Sequence, residues 1–512
     1  MDWKKLLSGS DVRGKACGED AVITEEVARA LGMAFAQRLA AEKNKPVGEI
    51  TVALGRDSRI SGEKLLDAAA DGVTRAGARA EDYGMCTTPA MFMAVITPGF
   101  APDGSIMITA SHHPWDRNGL KFFTEKGGLE AREVEELLEA AQGVHPEQSE
   151  PSEDASGMGA RGRVVRRDFL PEYASQLAAR IRNGLGTEEE KPLRGLHVAV
   201  DAGNGAGGFY EAMLRELGAD TTGSQYLEPD GMFPNHIPNP ENPEAIASIR
   251  EAVFASGADL GVIFDTDCDR AAVVGEDGRE INRNRLIALI SAILLEREQG
   301  LTIVTDSVTS TGLKRFIEAR GGEHYRYKRG YRNVIDEAVR LNAEGRNCPL
   351  AIETSGHAAL RENHFLDDGM YLVTVLIVKA MQMKTRGGTL GSLIADLGEP
   401  AESAEIRLDI TAEDFRRAGE EAIRRVLSAA EKEPGWHAAP DNREGVRILF
   451  DLDGAPESGW FLLRLSVHDP VLPVNCESDV SHGVRRMLTG LYQALRGAEG
   501  IDLTPLREAA EA

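Results

Sequence analysis

The sequence predicts an α/β fold: three similar α/β domains with mixed sheets, followed by a C-terminal α+β domain. Two observations lead to this prediction. One pattern of apolar strand, polar turn and amphipathic helix recurs three times, and the last quarter of the chain differs in character. Strands that alternate with helices are typical of α/β layers around buried sheets. At 512 residues the chain is also too long for one hydrophobic core.

The recurring unit begins near residues 50, 197 and 301. Each copy opens with a short apolar run, often β-branched, and passes through a polar turn into a helix with apolar residues at i, i+3 and i+4. The predicted strands are Ile50–Leu54, Leu196–Val200 and Leu301–Val304. The helices that follow them are expected to end near Gly77, Gly218 and Gly321.

Two polar segments predict surface connections, and a tail follows the second of them. Gly143–Gly162 has no apolar period and is expected to be a mobile loop, while Glu399–Ser403 separates the third unit from the tail. The tail has a predicted helix near Ala412–Glu431 and strands at Val446–Leu452 and Trp460–Leu465. The predicted domains are 1–165, 166–297, 298–400 and 401–512.

Composition excludes several classes of partner. The formal charge of −24 argues against nucleic acid or an anionic membrane surface. The longest apolar run, Leu286–Leu295, is far shorter than the ~20 residues that span a bilayer. No signal peptide is apparent, and the five cysteines are scattered without a C-x-x-C pair. We therefore expect a cytoplasmic protein with reduced thiols.

A predicted strand delivers Ser111 to a turn. Ile106–Pro114 is largely apolar up to Ala110 and then reads Ser-His-His-Pro. A serine at a strand end is exposed to ligand yet held by the sheet, which suits a nucleophile. Lys121 would return beside it across a hairpin, as a proton carrier or a phosphate ligand. The alternative is a plain turn in which the serine has only a capping role.

The adjacent histidines His112 and His113 raise the question of a metal site. Neighbouring side chains on an extended chain point to opposite faces. We therefore expect that this pair does not share one ion.

Three aspartates follow the predicted strand Asp259–Phe264 and can converge where it opens into a loop; they are Asp265, Asp267 and Asp269. Ligation by carboxylate oxygens suits a hard cation such as Mg²⁺, which would withdraw charge from a phosphoryl oxygen. Arg270 would offset the negative charge and hydrogen-bond a phosphate. The alternative is a solvated acidic turn. An EF-hand is a poor alternative, because this loop lacks the Gly and the bidentate Glu that an EF-hand requires.

Two further strand ends carry paired polar residues. Glu353 and Ser355 would lie on one side of an extended chain and hydrogen-bond vicinal hydroxyls. Arg464 and Ser466 repeat the spacing and could hold a phosphate. The alternatives are an ordinary Ser-Gly turn and an arginine on an edge strand. An anionic ligand needs a local basic cluster, for which the candidates are Arg13, Arg56, Arg59, Lys121, Arg270, Lys328 and Arg329.

These loops, in this order, resemble the motifs of the α-D-phosphohexomutase superfamily, in particular its bacterial phosphomannomutase/phosphoglucomutase branch. The resemblance covers nearly the whole chain, and its serine-loop motif is highly specific. The matching segments are Asp11–Gly14, Gly55–Arg59, Thr109–Pro114, Asp265–Arg270, Glu353–His357 and Arg464–Pro470.

The resemblance implies a four-domain mutase with a central cleft, in which a phosphoserine exchanges phosphate with a hexose phosphate through a hexose 1,6-bisphosphate. It gives catalytic roles to Ser111, Lys121, Arg13 and His112, and Mg²⁺ ligation to Asp265, Asp267, Asp269 and Ser111. It gives substrate contacts to Glu353, Ser355, His357, Arg464, Ser466, Arg270 and Tyr331. The implied partner is a small phosphosugar, and the implied assembly is a monomer or homodimer.

The chain departs from the family pattern where substrate is chosen. In the segment Arg464–Pro470, which resembles the family's phosphate-binding loop, Val467 and His468 replace small hydrogen-bond donors. Tyr331 follows Gly330 where the family has a histidine. The choice between mannose phosphate and glucose phosphate as the substrate therefore stays open. Thr354 replaces the glutamine of the glucosamine branch, which disfavours glucosamine phosphate. Further alternatives are a metal-dependent phosphatase using the same serine and a non-catalytic phosphosugar-binding protein.

Overall fold

A computed structural model describes residues 3–143, 163–466 and 469–511. Apart from Gly143, the loop predicted over Gly143–Gly162 lies outside these residues. Two compact units are present: Met1–Asn282 with Ser355–Ala359 and Leu366–Leu390, and Arg283–Thr354 with Leu360–Phe365 and Gly391–Ala512. Within the described part of the chain, no helix is both long and apolar enough to cross a bilayer.

The first unit opens with a mixed sheet. Its strands are β1 (Leu7–Ser8), β2 (Asp11–Lys15), β3 (Thr51–Arg56), β4 (Arg79–Met85), β5 (Gly104–Ile108), β6 (Arg117–Thr124), β7 (Gly127–Gly128) and β8 (Val164–Arg166). The order is β1-β2-β6-β5-β3-β4-β8, with β7 paired to β6. Strand β3 is parallel to β4 and β5, whereas β6 runs antiparallel to β5. The hairpin predicted between Ser111 and Lys121 is therefore confirmed.

Four helices accompany this sheet: α1 (Glu25–Lys43), α2 (Gly62–Arg75), α3 (Thr88–Ile96) and α4 (Ala131–Gln142). Buried aliphatic residues of α1 and α2 form one core with β3, β5 and β6. The two helices approach closely at Gly72, where a Cβ atom would overlap the carbonyl oxygen of Arg29.

A second mixed sheet follows in the first unit, with strands β9 (Val198–Asp201), β10 (Leu260–Phe264), β11 (Ala271–Gly275) and β12 (Glu280–Ile281). Its order is β12-β11-β10-β9, and only β9 and β10 run parallel. Its helices are α5 (Leu170–Leu185), α6 (Phe209–Glu216) and α7 (Pro243–Ser256). Every residue of β10 is buried, so this strand carries the aspartate loop at its end on a rigid support.

The second unit contains the third sheet, which includes β13 (Thr302–Thr305), β14 (Glu323–Arg326) and β15 (Leu350–Ile352). Strand β13 lies between the other two and is parallel to both. Its helices are α8 (Arg283–Arg297), α9 (Thr311–Ala319) and α10 (Tyr331–Ala343). The chain continues through β16 (Ala358–Leu360), β17 (Leu366–Asp367) and α11 (Gly369–Lys384).

The C-terminal part of the second unit is an antiparallel sheet covered by helices. Its strands are β18 (Glu402–Asp409), β19 (Trp436–Ala438), β20 (Val446–Leu452), β21 (Ala455–Leu463) and β22 (Val471–Ser478), in the order β18-β22-β21-β20-β19. Its helices are α12 (Phe415–Ala430), α13 (Gly483–Leu495) and α14 (Thr504–Glu511). The predicted fold class, three α/β domains and a C-terminal α+β domain, is confirmed.

Candidate active site

Ser111 lies at the end of β5 and contacts the acidic loop that follows β10. Its hydroxyl Oγ donates a hydrogen bond to Oδ2 of Asp265 over 3.0 Å. The residue is buried, with 3% of its surface exposed, and has a left-handed φ of 51°. The first unit therefore brings together the serine and the aspartates, which the sequence predicted for one site.

The two histidines after Ser111 do not point to opposite faces. Their rings stack with centroids 5.0 Å apart, because the chain turns after β5 and is not extended. The argument from an extended chain was wrong for this pair. Nδ1 of His112 lies 3.2 Å from Oγ of Ser111. Burial and, to a smaller extent, the positive charge of nearby Arg270 lower the pKa of His112 to about 2, so its ring is neutral beside the serine.

The carboxylates of Asp265, Asp267 and Asp269 converge as the sequence predicted. One oxygen of each lies within 4.8 Å of the others, and all three residues are buried. A left-handed turn at Cys268, with a φ of 64°, folds the loop back on itself. Among the described residues, Oδ1 of Asp267 and Oδ1 of Asp269 are buried without a hydrogen-bond partner. Buried anionic oxygens are costly in this state, and a hard cation would satisfy them.

The electrostatics of this loop reflect mutual repulsion. Burial, with the neighbouring Asp269 and Asp267 carboxylates, raises the pKa of Asp265 well above its ordinary value. Burial and Asp269 raise the pKa of Asp267 to about 6. Burial also opposes the charge of Asp269, but Lys121, His357 and Arg270 together outweigh it and lower the pKa of Asp269. The loop holds more negative charge than its own cations neutralise.

Lys121 and Arg13 lie at the same site on neighbouring strands, β6 and β2. Nζ of Lys121 lies 2.9 Å from Oδ2 of Asp269 and 3.7 Å from Oδ2 of Asp11. Arg13 donates from Nη2 to the same Asp11 oxygen over 2.6 Å. Asp11 thus holds both predicted cations, a role that the sequence did not reveal although Asp11 opens a segment that matched the family.

Arg270 and His357 add two more cationic groups to the first unit. Nε of Arg270 lies 3.2 Å from Oδ2 of Asp265, and its buried Nη2 has no hydrogen-bond partner among the described residues. Nδ1 of His357 hydrogen-bonds Oδ2 of Asp367. Burial opposes protonation, but Asp367 raises the pKa of His357 to about 9. Nothing in the local sequence pointed to Asp367, which lies ten residues beyond its partner.

In the second unit, Glu353 follows β15 and accepts a hydrogen bond from the backbone N–H of Gly330. Tyr331 is the first residue of α10. Residues 354 and 355 form a turn, so the assumption of an extended chain from Glu353 to Ser355 was wrong. Ser355 itself belongs to the first unit and is half-buried.

Arg464 and Ser466 follow β21 in the second unit. Burial lowers the pKa of Arg464, and its buried Nε has no hydrogen-bond partner in the described part of the chain. Arg329 is close enough to act on the same pKa, which places two cations in one region. Ser466 accepts a hydrogen bond from the N–H of Asp469 over 3.3 Å. Val467 and His468, the atypical residues of this loop, lie outside the described residues.

Arg59 was one candidate for the basic cluster that binds a phosphate, but its side chain faces the protein interior. Its guanidinium is buried and donates hydrogen bonds to Asp57 and to backbone carbonyls of the serine loop, the segment 109–117 that contains Ser111. Arg56 is half-buried and donates to the carbonyl oxygen of Asp57 over 3.1 Å. The sequence marked this segment by its resemblance but gave no indication that the arginine faces inward.

Three family models match successive parts of the chain, together more than half of it. They describe phosphoglucomutase/phosphomannomutase α/β/α domain I over residues 4–143, domain II over 171–278 and domain III over 282–400.

Curated proteins and solved structures agree with this match. The chain is 29% identical to phosphomannomutase/phosphoglucomutase from Pseudomonas aeruginosa, over 96% of both chains. It is 31% identical to phosphomannomutase from Escherichia coli, over 93% of this chain and 95% of the relative. A crystal structure of a phosphoglucomutase/phosphomannomutase family protein from Burkholderia thailandensis superposes with a TM-score of 0.77 at 27% identity, covering 98% of each chain. The chain therefore belongs to the phosphoglucomutase/phosphomannomutase family of the α-D-phosphohexomutase superfamily and is an isomerase that acts as an intramolecular phosphotransferase.

Proposed function

We propose that the enzyme interconverts hexose 6-phosphate and hexose 1-phosphate, with mannose or glucose as the sugar, and that Ser111 carries the phosphoryl group. One observation carries this proposal: the Ser111 hydroxyl lies 3.0 Å from a carboxylate oxygen of a buried aspartate cluster. A phosphoryl group on Ser111 would therefore be adjacent to a divalent cation held by that cluster. The family membership supports the same reaction class.

Mg²⁺ is the cation that this donor set fits best. The proposed ligands are oxygens of Asp265, Asp267, Asp269 and Ser111, and two of the carboxylate oxygens lack any hydrogen-bond partner among the described residues. Hard oxygen donors and high negative charge favour Mg²⁺ over softer metals. When bound, the ion supplies Lewis acidity to a phosphoryl oxygen.

The transfer requires one bond to form as another breaks. The P–O bond to Ser111 Oγ breaks while the free sugar hydroxyl forms a new P–O bond. The proton of the sugar hydroxyl passes to a neighbouring base, and the leaving Oγ of Ser111 takes up a proton to become a hydroxyl. The product is a hexose 1,6-bisphosphate, which then returns its other phosphate to Ser111. We propose Lys121 for proton transfer and phosphate contact, Arg13 for phosphate contact, and neutral His112 for orientation of the serine hydroxyl.

The remaining predicted residues are proposed to bind the sugar phosphate. Carboxylate and hydroxyl groups suit sugar hydroxyls, and arginines suit the phosphate that does not react. The buried Nε of Arg464, unpartnered within the described residues, supports a phosphate there. The proposed contacts to sugar hydroxyls are Glu353, Ser355, His357 and Tyr331, and those to phosphate are Arg464, Ser466 and Arg270.

The wider setting is also proposed from the sequence. We retain the domain boundaries 1–165, 166–297, 298–400 and 401–512, and a cytoplasmic location is supported by five cysteines that are all free thiols. The net charge of −24 supports a small-molecule partner and no nucleic acid. A monomer or homodimer is proposed.

Product analysis separates this function from its alternatives. The protein is incubated with Mg²⁺, a trace of hexose 1,6-bisphosphate and one of three substrates: the 1-phosphates of mannose, glucose and glucosamine. The expected result is the matching 6-phosphate from mannose or glucose, with little free phosphate. Dominant release of phosphate would identify a phosphatase, activity on glucosamine alone would identify the alternative mutase, and no product would identify a binding protein.

The variant Ser111→Ala tests the carrier. We expect loss of isomerisation with an unchanged circular dichroism spectrum, whereas Ser175→Ala, at an exposed position on α5, should retain wild-type rates. Near-wild-type turnover by Ser111→Ala would exclude this mechanism.

A further inference from the structure

Arg59 uses all five of its side-chain N–H donors inside the first unit. A guanidinium has five such donors in a rigid planar arrangement. Nε donates to Oδ2 of Asp57 over 3.2 Å, and the other donors go to backbone carbonyls of the serine loop. These carbonyls belong to Ser111, His113 (2.7 Å), Pro114 (2.7 Å) and Arg117 (3.0 Å). No donor is left for a substrate phosphate.

Asp57, the ion-pair partner of Arg59, supports the same loop through Thr109. Oδ2 of Asp57 accepts a hydrogen bond from Oγ1 of Thr109 over 2.7 Å, and Oγ1 accepts one from the Ser111 N–H over 2.9 Å. Asp57 also accepts the backbone N–H of Arg59 over 2.9 Å. The Asp57–Arg59 pair thus fixes both the N–H and the C=O of Ser111.

This arrangement bears directly on the position of the Ser111 hydroxyl. Ser111 adopts a φ of 51°, a conformation that is uncommon outside glycine and needs support from its surroundings. Four carbonyls directed at one guanidinium fix the curvature of the loop. A change at that guanidinium would therefore displace the serine from Asp265.

The turn at residues 230–233, between α6 and α7, packs against Arg59. The guanidinium carbon lies 5.3 Å from the ring centroid of Phe233. A Cβ atom at Gly231 would overlap the carbonyl oxygen of Ser58 and lie 2.5 Å from the nitrogen of Ile60. Only glycine permits this approach of two backbones, so the turn is packed directly against the segment that contains Arg59.

We infer that Arg59 is a positioning residue for phosphoryl transfer, and that the 230–233 turn holds it in place. This inference rests on the proposed function, because it assumes that Ser111 carries the phosphoryl group. All five donors of Arg59 are used by protein acceptors. Arg59 acts by holding the serine loop so that Oγ of Ser111 meets Asp265.

The first test is Arg59→Lys, which keeps the charge beside Asp57 but has three donors on a single point of charge. Because small displacements of reacting groups cost large factors in rate, we expect kcat to fall about 30-fold or more while KM stays within about threefold. Amide hydrogen exchange in a peptide covering the serine loop should accelerate. The matched control is Arg29→Lys, at an arginine of α1 that pairs with Asp71 over 2.6 Å, and it should change neither quantity.

The second test, Gly231→Ala, keeps both Asp57 and Arg59 but forces the covering turn and the backbone around Arg59 apart. It should lower kcat in the same direction and accelerate exchange in the serine loop. Gly48→Ala is the control, because a Cβ atom there would have its nearest neighbour at 3.9 Å.

The outcomes separate this inference from the proposed function. A wild-type enzyme that forms no phosphoserine with hexose 1,6-bisphosphate would contradict the proposed function itself. If phosphoserine forms in the wild type, a kcat of Arg59→Lys within threefold of it would overturn the inference. So would a loss of kcat with no change in loop exchange.

Discussion

The ammonium of Lys121 lies 2.9 Å from Oδ2 of Asp269, and both side chains are almost completely buried. The two residues are 148 positions apart, Lys121 on β6 of the first sheet and Asp269 in the loop after β10 of the second. This pair neutralises part of the aspartate cluster and joins the two sheets at the site. It also places a proton donor at the aspartate cluster that the Ser111 hydroxyl contacts.

Lys121→Met is expected to impair both chemistry and stability. Loss of a positioned acid-base group typically costs about 10² to 10⁴ in rate. Breaking a buried ion pair leaves Asp269 uncompensated and costs about 3 kcal/mol. The measurements are kcat and urea unfolding with Mg²⁺ absent, with Lys121→Arg as the control that keeps the charge. Wild-type kcat in Lys121→Met would exclude a catalytic role.

Metal-free enzyme should lose stability as the pH rises through the acid range. Burial and Asp269 raise the pKa of Asp267 from 3.8 to about 6 in the folded protein. A carboxyl with a raised pKa contributes stability below pH 3.8 that disappears as the pH rises through about 6, which amounts to about 3 kcal/mol. Asp265 acts in the same direction, while Asp269, with its lowered pKa, titrates below this window.

Mg²⁺ binding should reverse this loss, since the cation must displace any protons from its ligands. We expect Mg²⁺ to raise Tm more at pH 7.5 than at pH 5, measured by thermal unfolding with and without EDTA. Asp267→Asn provides the control: it should weaken the response to Mg²⁺ and flatten the pH dependence. An equal Mg²⁺ effect at both pH values would contradict this account.

The sequence predicted the parts of the site that depend on local pattern. Strand ends are marked by apolar runs and polar turns, so the positions of Ser111 and Asp265 could be inferred. Side-chain direction in an irregular turn could not, because alternation applies only to extended chain. This is why the stacked rings of His112 and His113 were unexpected. The inward-facing Arg59 was missed for another reason: burial of an arginine depends on carbonyls supplied by distant residues.

His236 and Asp201 form a buried pair in the second sheet region that should make stability depend on pH. Nε2 of His236 lies 3.0 Å from Oδ2 of Asp201. Burial opposes protonation, but the hydrogen bond and the charge of Asp201, with the backbone carbonyl of Ile237 and the charge of Glu244, together outweigh it and raise the pKa of His236 above 6.5. The stability from this shift is fully present below the unfolded pKa of 6.5 and is lost as the pH rises through the folded value.

His236→Gln should therefore lower the free energy of unfolding by about 1–2 kcal/mol at pH 6 and by less at pH 9. Urea unfolding at several pH values measures this difference. His437→Gln is the control, since the His437–Asp451 pair is about half exposed and should contribute little. A gap between wild type and His236→Gln that widens above pH 8 would refute the assignment.

Gly72→Ala tests the close packing of α1 and α2. In an isolated helix this substitution stabilises by about 1 kcal/mol. Here the new Cβ would overlap the carbonyl oxygen of Arg29 and lie 3.0 Å from the nitrogen of Met33. Backbone atoms cannot move aside without separating the helices, so we expect a net destabilisation of about 2 kcal/mol, seen as a lower urea midpoint.

The control for this substitution is Gly143→Ala. Gly143 caps α4 with a φ of −80°, and its nearest Cβ neighbour would be an oxygen 3.5 Å away, an ordinary contact. Alanine there should change stability by less than about 0.5 kcal/mol. Both substitutions introduce alanine, so the comparison tests how closely backbone atoms approach the new Cβ atom. If the urea midpoint of Gly72→Ala is at or above that of the wild type, α1 can shift away from α2 at little cost. This contact would then not set the separation of the two helices.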